Sequence, residues 1–274
     1  ILLVDINGYP SDIDAFIKLS KKYKIRLITD SAQSIGAKYL QKNKFAGTLG
    51  DIGGYSLNVH KHINTGEGGI VVTNDNRLAK KISLIRNHGE NIVKSNKNLQ
   101  HFYGYNFRMG EIEAAIGIEQ IKKFPKILKE IQQLAKILSD GLKNLNGLTL
   151  PIPNVNLTHS YYVYPVVIDL KKVNCSRSKI ISKLKNAGIP MGQGYQNIHL
   201  LPFFQKKIRS GIAKNYWTKV NLNQNYKKGI CPVAEELHDK TYMGFPLCHY
   251  KFTKQNIRNI IVSFKKVWNQ VSIK

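Results

Sequence analysis

Residues Ser56 to Gly69 read SLNVHKHINTGEGG, and the hydrophobic run Ile70-Val71-Val72-Thr73 follows directly. The segment places one lysine, Lys61, between two histidines and just before a glycine-rich turn. A lysine on a sharp loop is most often a solvated surface charge, so the pattern alone does not identify a site. The glycines can adopt positive φ and let backbone approach a ligand closely. We expect the two flanking histidines to shape a pocket.

A carboxylate at the end of a second apolar segment gives the lysine a chemical context. Asp30 closes the run Arg26-Leu27-Ile28-Thr29-Asp30, and ligands gather at the carboxyl ends of strands in parallel α/β sheets. Pyridoxal phosphate needs a lysine amine to hold its aldehyde and a carboxylate to keep its ring nitrogen protonated. Lys61 and Asp30 offer both groups. A turn or helix-cap role is the simpler alternative for Asp30.

The opening of the chain reads as a βαβ unit. Strand Ile1–Val4 leads to a helix that begins at Ser11, with Ser11 as its cap and Asp14 in a capping-box position. The apolar run Ile25–Thr29 then predicts a strand of a parallel sheet buried on both faces. Because the sequence opens with Ile1 inside a strand-like run, we expect it to be a fragment of a longer protein.

Periodicity and turn residues predict the remaining elements. The polar segment 89–100 is expected to be a mobile loop, and Pro125 is expected to break a long helix that begins near Gly110 and resumes to about Leu145. The other predicted elements are strands Gly54–Leu57, Ile70–Thr73 and Tyr161–Asp169, and helices Asn76–Asn87, Ser178–Asn186 and Thr253–Val271.

Composition is that of a soluble globular protein, with 274 residues of which 42% are hydrophobic and 22% charged. No apolar run approaches the roughly 18 to 20 residues needed to span a bilayer, and no signal peptide is visible. The cysteines are Cys175, Cys231 and Cys248, odd in number and without a CxxC pair. We therefore expect no metal site, no disulfide framework, no membrane partner and a cytoplasmic location.

The formal net charge of +25 is unevenly distributed. Residues 1–125 hold 18 Lys and Arg against 11 Asp and Glu, whereas residues 126–274 hold 24 against 6. Such a charge can attract nucleic acid, an anionic membrane or a phosphorylated substrate. No arginine-rich arm, recognition-helix pattern or aromatic RNA-binding strand accompanies it, so we expect no nucleic-acid partner. A nucleic-acid-binding protein stays open as an alternative.

Three ordered motifs resemble the DegT/StrS-type sugar aminotransferases, a family of enzymes that use pyridoxal 5'-phosphate. The run Asp30-Ser31-Ala32-Gln33-Ser34-Ile35-Gly36-Ala37 resembles the family's D-x-A-Q-x-x-G-A segment. Lys61 to Gly69 resembles its lysine-to-GEGG signature, and Gly104-Tyr105-Asn106-Phe107-Arg108-Met109 its G-x-N-x-R-M segment. The similarity continues through Gly188-Ile189-Pro190 and Cys231-Pro232-Val233-Ala234-Glu235 and covers nearly the whole chain.

The resemblance implies a role for each matching residue. Lys61 would carry the cofactor and shuttle the proton, Asp30 would pair with the ring nitrogen, and Gln33 would bond the ring hydroxyl. Ser56 would bind the cofactor phosphate, and Asn106 would reach that phosphate from the partner subunit of a homodimer with shared active sites. His88 is a weak candidate for a substrate contact.

The resemblance also implies an α/β fold of the pyridoxal-phosphate fold type I. Residues 1–125 would be the C-terminal portion of the cofactor-binding large domain, whose N-terminal part is absent, and 126–274 a linking helix and a small α+β domain. The expected reaction moves an amino group from an amino acid, glutamate, to a nucleotide-linked keto-sugar, for polysaccharide, lipopolysaccharide or glycoconjugate biosynthesis.

The sequence leaves two other hypotheses of function open. One is a pyridoxamine-phosphate-dependent sugar dehydratase on the same scaffold, although those relatives replace the lysine with histidine and Lys61 stands in register. The other is an inactive truncated product, because the family's Gly-Thr phosphate contact and ring-stacking aromatic residue have no counterpart in residues 1–274.

Overall fold

The computed structural model describes residues 1–90, 103–206 and 226–273. The predicted mobile loop therefore lies almost entirely outside the described residues. The strands are β1 Leu2–Val4, β2 Ile28–Asp30, β3 Lys38–Tyr39, β4 Lys44–Phe45, β5 Ile52–Ser56, β6 Gly69–Val72, β7 Leu148–Thr149, β8 Tyr164–Ile168 and β9 Tyr242–Phe245. The helices are α1 Ile13–Tyr23, α2 Asn76–Arg86, α3 Glu111–Leu142, α4 Arg177–Asn186, α5 Pro202–Gln205, α6 Pro232–Glu236 and α7 Lys254–Val271.

The chain divides into two compact units by its internal contacts. Unit 1 comprises residues 1–136, 152–163 and 247–252, and unit 2 comprises 137–151, 164–246 and 253–274. The predicted boundary after residue 125 differs from this division, because the chain returns to unit 1 twice. The assignment of 1–125 and 126–274 to the family's two domains stays a prediction.

Unit 1 is built on a four-stranded sheet in the order β1-β2-β5-β6. Strands β1, β2 and β5 are parallel, whereas β6 returns antiparallel to β5 through a loop that contains Lys61. The α/β fold is as predicted. One side of the sheet is packed by a core in which Leu3, Leu27 and Ile13 are buried. Helix α1 supplies Ile13 to this core, which fixes the β1-α1-β2 crossover.

Asp12, and not Ser11, caps helix α1, so the predicted capping box is wrong. The Asp12 carboxylate accepts a hydrogen bond from the Ala15 N–H at 3.2 Å. Ser11 is engaged elsewhere, since its hydroxyl donates to the Val4 carbonyl and its N–H donates to the Asp5 carboxylate. Two acceptors that precede Ser11 by six and seven residues therefore override the local capping pattern.

Two predicted strands are shorter in the structure, and one is shifted. The run predicted as strand 25–29 forms β2 only from Ile28, so that Asp30 is its last residue. The strand predicted from Tyr161 begins at Tyr164, because Tyr161 has a φ of 54° and leaves the extended region. The predicted strand 54–57 is β5, Ile52–Ser56.

Helix α3 passes through Pro125 without ending, so the predicted break is wrong. Proline in a helix interior removes one hydrogen bond and costs about 3 kcal/mol. Side chains on both sides of Pro125 offset that cost by packing. Phe124 and Leu128 lie against Gly36, where an added Cβ would come within 2.8 Å of either side chain. Farther along the helix Ile131, Leu134, Ala135, Leu138 and Leu142 are buried.

Unit 2 contains the antiparallel sheet β7-β8-β9. Trp268 of α7 is almost fully buried, and its indole N–H donates to the Asn146 carbonyl at 2.9 Å. Arg177 at the start of α4 is also buried and donates from Nη1 to four backbone carbonyls, those of Gln193, Leu237, His238 and Tyr242. These bonds tie α4 to the chain that precedes β9.

No helix in the described ranges is long and apolar enough to cross a membrane. Within those same ranges, no three or more His, Cys, Asp or Glu side chains gather as a metal site would require.

Adjacent glycines of β5 give a test of the sheet packing. An added Cβ on Gly53 would lie 1.7 Å from the Gly47 carbonyl oxygen, whereas one on Gly54 meets no atom within 4 Å. We expect Gly53→Ala to lower the free energy of unfolding by about 1–3 kcal/mol or more, because backbone must move. Gly54→Ala is the matched control and should change it by less than about 0.5 kcal/mol. Urea denaturation measures both, and equal midpoints for the two variants would contradict this packing.

Candidate active site

Lys61 lies on the loop that joins β5 to β6, and hydrogen bonds close that loop at its base. Leu57 N–H donates to the Gly68 carbonyl, and Thr65 N–H donates to the Leu57 carbonyl. At its tip, Lys61 N–H donates to the Asn58 carbonyl at 2.9 Å. Glu67 adds to the order of the loop by accepting from the Asn58 side-chain amide at 2.8 Å. The loop thus presents Lys61 from a fixed base.

The turn that follows Asp30 is anchored by a buried carboxylate, Asp5, which sequence reasoning missed. Asp5 is 1% exposed and accepts from the Ser31 hydroxyl at 2.6 Å and from the Ser34 hydroxyl at 3.4 Å. Its backbone N–H donates to the Asp30 carbonyl at 3.0 Å. A buried carboxylate must be satisfied by donors, so the two serines of the D-S-A-Q-S motif are fixed beneath Asp30. The Asp30 carboxylate itself accepts from the Ala32 N–H.

The segment His159–Tyr162 lies against both of these loops. The Ser160 carbonyl accepts from His62 Nε2 at 2.7 Å, and the Ser160 hydroxyl donates to the carbonyls of Gly8 and Gln33. The approach is close because an added Cβ on Gly8 would lie 2.6 Å from Ser160 Oγ. Next to Ser160, the Tyr162 ring centroid lies 4.3 Å from Lys61 Nζ. One short segment therefore contacts the lysine loop and the Asp30 turn together.

The surroundings of Lys61 lower the pKa of its amine. Burial is the largest cause, and the negative charge of Asp30 partly offsets it, as the Cys248 thiolate would if it formed. Burial also raises the pKa of Cys248 to about 12, so its thiol is neutral near pH 7. His249 lies beside Cys248, and burial, His60 and Lys61 lower its pKa. A lysine with a lowered pKa can act as a nucleophile or a base near neutral pH.

The residues present fit pyridoxal phosphate on one structural point besides the lysine. Asp30 is paired in register with Gly54, so both face the same side of the sheet. An added Cβ on Gly54 would meet no atom within 4 Å, so the space beside Asp30 is clear at this position. Lys61 lies on the loop that follows β5, the strand that carries Gly54, and the Asp30 charge favours the protonated Lys61 amine. A flat ring with a basic nitrogen matches this arrangement.

The other predicted cofactor residues lie on the same structural elements. The Gln33 side-chain oxygen accepts from the Asn7 N–H at 2.7 Å, which fixes the amide at the turn after Asp30. The hydroxyl oxygen of Ser56, the last residue of β5, accepts from the Asn58 N–H at 3.2 Å. The cofactor roles of Gln33 and Ser56 stay predictions.

Asn106 and His88 lie on a separate exposed segment of unit 1. Asn106 pairs with Asn87 in an isolated antiparallel bridge, and its side chain is exposed. His88 has a φ of 55° in the turn after α2 and is also exposed. No contact between either residue and Lys61 is found in the described part of the chain, so their roles stay predictions.

The histidines separate into different environments. His62 is buried, as a pocket-shaping role requires, whereas His60 is exposed with its ring centroid 5.6 Å from that of His249. Three further histidines, His199, His238 and His249, come from the second half of the chain. In unit 2, His199 contacts Glu235 at 2.8 Å and the His238 ring lies beside Tyr242. His249 instead lies in unit 1 by Lys61, which nothing in the sequence indicates.

Comparison with known proteins agrees with this geometry. The sequence profile described as the DegT/DnrJ/EryC1/StrS aminotransferase family matches residues 1–263. A Methanocaldococcus jannaschii protein described as uncharacterized, MJ1066, is 30% identical over 97% of this chain and 66% of its own. The UDP-4-amino-4,6-dideoxy-N-acetyl-beta-L-altrosamine transaminase of Campylobacter jejuni is also 30% identical, over 97% of this chain and 66% of its own.

The fold is similar to solved aminotransferase structures. Helicobacter pylori PseC, an aminotransferase involved in the biosynthesis of pseudoaminic acid, is 26% identical with a TM-score of 0.79, over 98% of this chain and 67% of that one. The chain thus spans about two thirds of the length of the relatives that it matches.

The buried His62 predicts a pH dependence of stability. Burial lowers its pKa to about 4 from an unfolded value near 6.5. The unfolded state therefore binds a proton first as the pH falls, and His62 should reduce the free energy of unfolding by about 1–3 kcal/mol between pH 6.5 and pH 4.

His62→Gln should flatten part of this slope in urea titrations across the same pH range. His88→Gln removes an exposed imidazole and is the control for losing a histidine. If His62→Gln leaves the pH dependence of the free energy of unfolding unchanged, the neutral buried His62 does not contribute to it.

Proposed function

The chain belongs to the DegT/DnrJ/EryC1/StrS aminotransferase family, and from this premise we propose that it moves an amino group from an amino acid, glutamate, to a nucleotide-linked keto-sugar. Pyridoxal phosphate is the proposed cofactor, and the amino sugar is used for polysaccharide or glycoconjugate biosynthesis. The observation that carries the proposal is the partly buried Lys61 amine within electrostatic reach of Asp30.

The substrate class is supported by the relatives' names and by the charge of this chain. The Campylobacter jejuni relative is named as a transaminase of a UDP-linked amino sugar. A nucleotide-linked sugar carries a pyrophosphate, which a protein of net charge +25 attracts at long range. Position-specific recognition still requires individual donors, so the charge supports the class of substrate and not its identity.

Lys61 is the residue that moves the proton in the proposed reaction. When bound, pyridoxal phosphate supplies an electron sink that stabilises negative charge on the carbon that loses its proton. Lys61 Nζ takes that proton and delivers it to the adjacent acceptor position, since burial lowers the pKa of the amine and leaves more of it in the basic form. Asp30 holds a proton on the ring nitrogen through its negative charge.

Gln33 and Ser56 are proposed to hold the cofactor in place. The Gln33 amide oxygen accepts from the Asn7 N–H at 2.7 Å, which fixes this side chain in the turn after Asp30, where it would contact the ring oxygen in this proposal. Ser56 is the last residue of β5. Its hydroxyl would donate to a phosphate oxygen of the cofactor. The Gln33 carbonyl accepts from the Ser160 hydroxyl, and the Ser56 backbone is held by its pairing with Gly69 of β6.

The exposed segment around Asn106 supports a homodimer with shared active sites. Tyr105 and Phe107 flank Asn106 and stack with ring centroids 5.0 Å apart, yet they are 59% and 67% exposed. Ile112 at the start of α3 is 76% exposed. Large apolar side chains clustered at the surface are typical of protein interfaces. A second copy that covers them would receive Asn106 at its own active site.

Covalent attachment of the cofactor tests the role of Lys61. We expect the chain, incubated with pyridoxal phosphate and reduced with borohydride, to carry the cofactor on the peptide that contains Lys61. Lys61→Ala should lose this label, and amino transfer to a nucleotide-linked keto-sugar should fall by about 10²–10⁴-fold or more.

Lys38→Ala is the matched control, because the Lys38 amine lies 4.5 Å from the Phe45 ring centroid in the same unit. It should keep both label and activity. Visible absorption and peptide mapping of the parent chain are measured first, to establish whether it binds the cofactor and at which lysine. An unlabelled parent at saturating cofactor would count against the proposed chemistry.

The proposed dimer predicts that Phe107→Asp weakens self-association. A carboxylate at a covered apolar contact must be desolvated, so the dimer dissociation constant should rise by about 10-fold or more. Sedimentation equilibrium measures it, with Val155→Asp as the control because Val155 is 87% exposed away from this segment in sequence. A parent chain that is monomeric at micromolar concentration would overturn the shared-site proposal.

A further inference from the structure

Tyr162 makes an unusual contact with the proposed catalytic lysine. Its ring centroid lies 4.3 Å from Lys61 Nζ, which is the geometry of a cation–π interaction. The tyrosine is 7% exposed, so the contact is shielded from water on the tyrosine side. His249 packs on the ring edge-to-face at 4.9 Å, and His62 lies 6.2 Å away. The ring is thus held in one orientation by its neighbours.

A strained residue directly precedes Tyr162. Tyr161 has a φ of 54°, which is a rare backbone conformation for a bulky side chain. The conformation is fixed, because Tyr161 N–H donates to His159 Nδ1 at 2.8 Å and its ring stacks on His159 at 4.0 Å. Strained backbone persists where the surroundings over-determine it, and it clusters at functional sites. Here the strained residue stands between Ser160, whose N–H donates to the Gly8 carbonyl, and Tyr162, whose ring contacts Lys61.

We propose that Tyr162 is a positioning residue for Lys61, whose ring face holds the lysine ammonium in the pocket between the stages at which the amine is engaged. This inference rests on the proposed function. An unengaged lysine amine is otherwise free to swing into solvent on its four-carbon stem. The ring limits that motion and stabilises the charged form, which Lys61 must pass through each time it accepts a proton.

Several titratable groups also face Lys61 and must be distinguished from the ring. Asp30 from β2 favours the charged amine, and Cys248 from the 247–252 segment acts in the same direction when ionised. His249 from that segment and His62 from the lysine loop are both influenced by the Lys61 charge. His249 and His62 also contact the Tyr162 ring, so their imidazole titrations are recorded in every ring variant, and the matched pair isolates the ring's contribution where those titrations agree.

The experiment compares Tyr162→Phe with Tyr162→Leu in the cofactor-free chain. Both variants lack the hydroxyl, and only the first keeps an aromatic face. The pKa of the Lys61 amine is measured by ¹³C-methyl labelling of lysines and NMR titration, with the Lys61 signal assigned from Lys61→Arg. We expect Tyr162→Leu to lower that pKa by about half a unit to one unit relative to Tyr162→Phe. Lys38 serves as an internal reference in every spectrum.

Two further measurements keep the test independent of folding and of the proposed chemistry. Circular dichroism and thermal unfolding verify that both variants fold, and Tyr250→Leu is the control for losing an exposed tyrosine of unit 1. In the cofactor-loaded protein, the part of the pH profile of kcat that reports deprotonation of Lys61 should move with the Lys61 pKa in Tyr162→Leu. In Tyr162→Phe, that profile should stay close to the parent's. Binding of the substrate, read from KM, should stay unchanged.

The outcomes separate the inference from the proposed function. Equal Lys61 pKa values in folded Phe and Leu variants, or a higher value in the Leu variant, overturn the positioning role even if Lys61 carries the cofactor. A lowered pKa in the Leu variant together with a shifted kcat profile supports it. A lowered pKa in a chain that never takes up the cofactor refutes the proposed function and leaves the ring contact without a catalytic role.

Discussion

The hydrogen bonds of Ser160 join the parts of unit 1 on which the candidate site depends. Its carbonyl accepts from His62 beside the lysine, its hydroxyl donates to Gln33 beyond Asp30, and its N–H donates to Gly8. These three partners lie in the loops that follow β1, β2 and β5, the three parallel strands of the sheet. Buried polar groups that are fully paired fix a single arrangement, because each lost bond would leave an unsatisfied group. The Ser160 bonds therefore reinforce the placement of Lys61 and Asp30 that the pairing of β2 with β5 begins.

The same burial that satisfies these bonds sets the electrostatics of the site. His62 donates from Nε2 to a carbonyl and is buried, so it stays neutral and adds no charge next to Lys61. Cys248 is neutral for the same reason. Asp30 is then the one acidic side chain shown to favour a charged Lys61, and the desolvation of the amine exceeds that effect. As a result, a larger fraction of the Lys61 amine is unprotonated than in a surface lysine at the same pH. This suits a residue that must both bind an aldehyde and carry a proton.

Local sequence was sufficient for the parts of the fold and site that short-range patterns determine. The strand that ends at Asp30 and helix α7 both follow from hydrophobic periodicity, and the lysine loop follows from its glycine-rich turn. The predictions failed where contacts with other parts of the chain outweigh the local sequence pattern. Ser11 lost the cap of α1 because Val4 and Asp5 engage it, and α3 crosses Pro125 because Phe124 and Leu128 pack against Gly36. Tyr162, Ser160 and His249 reach the site from about 100 to 190 residues beyond Lys61, and no spacing rule connects them to it.

Tyr161 shows why such contacts also constrain stability. Its left-handed backbone costs of order 1–3 kcal/mol, and an extended residue at this position would have continued β8 toward the N-terminus. The stacking on His159 and the N–H bond to His159 Nδ1 offset part of that cost. A protein selected for stability alone would gain by relaxing this residue. The left-handed residue lies between Ser160, which bonds Gly8, and Tyr162, whose ring contacts Lys61, so the strain is placed where the two sets of contacts that build the site meet.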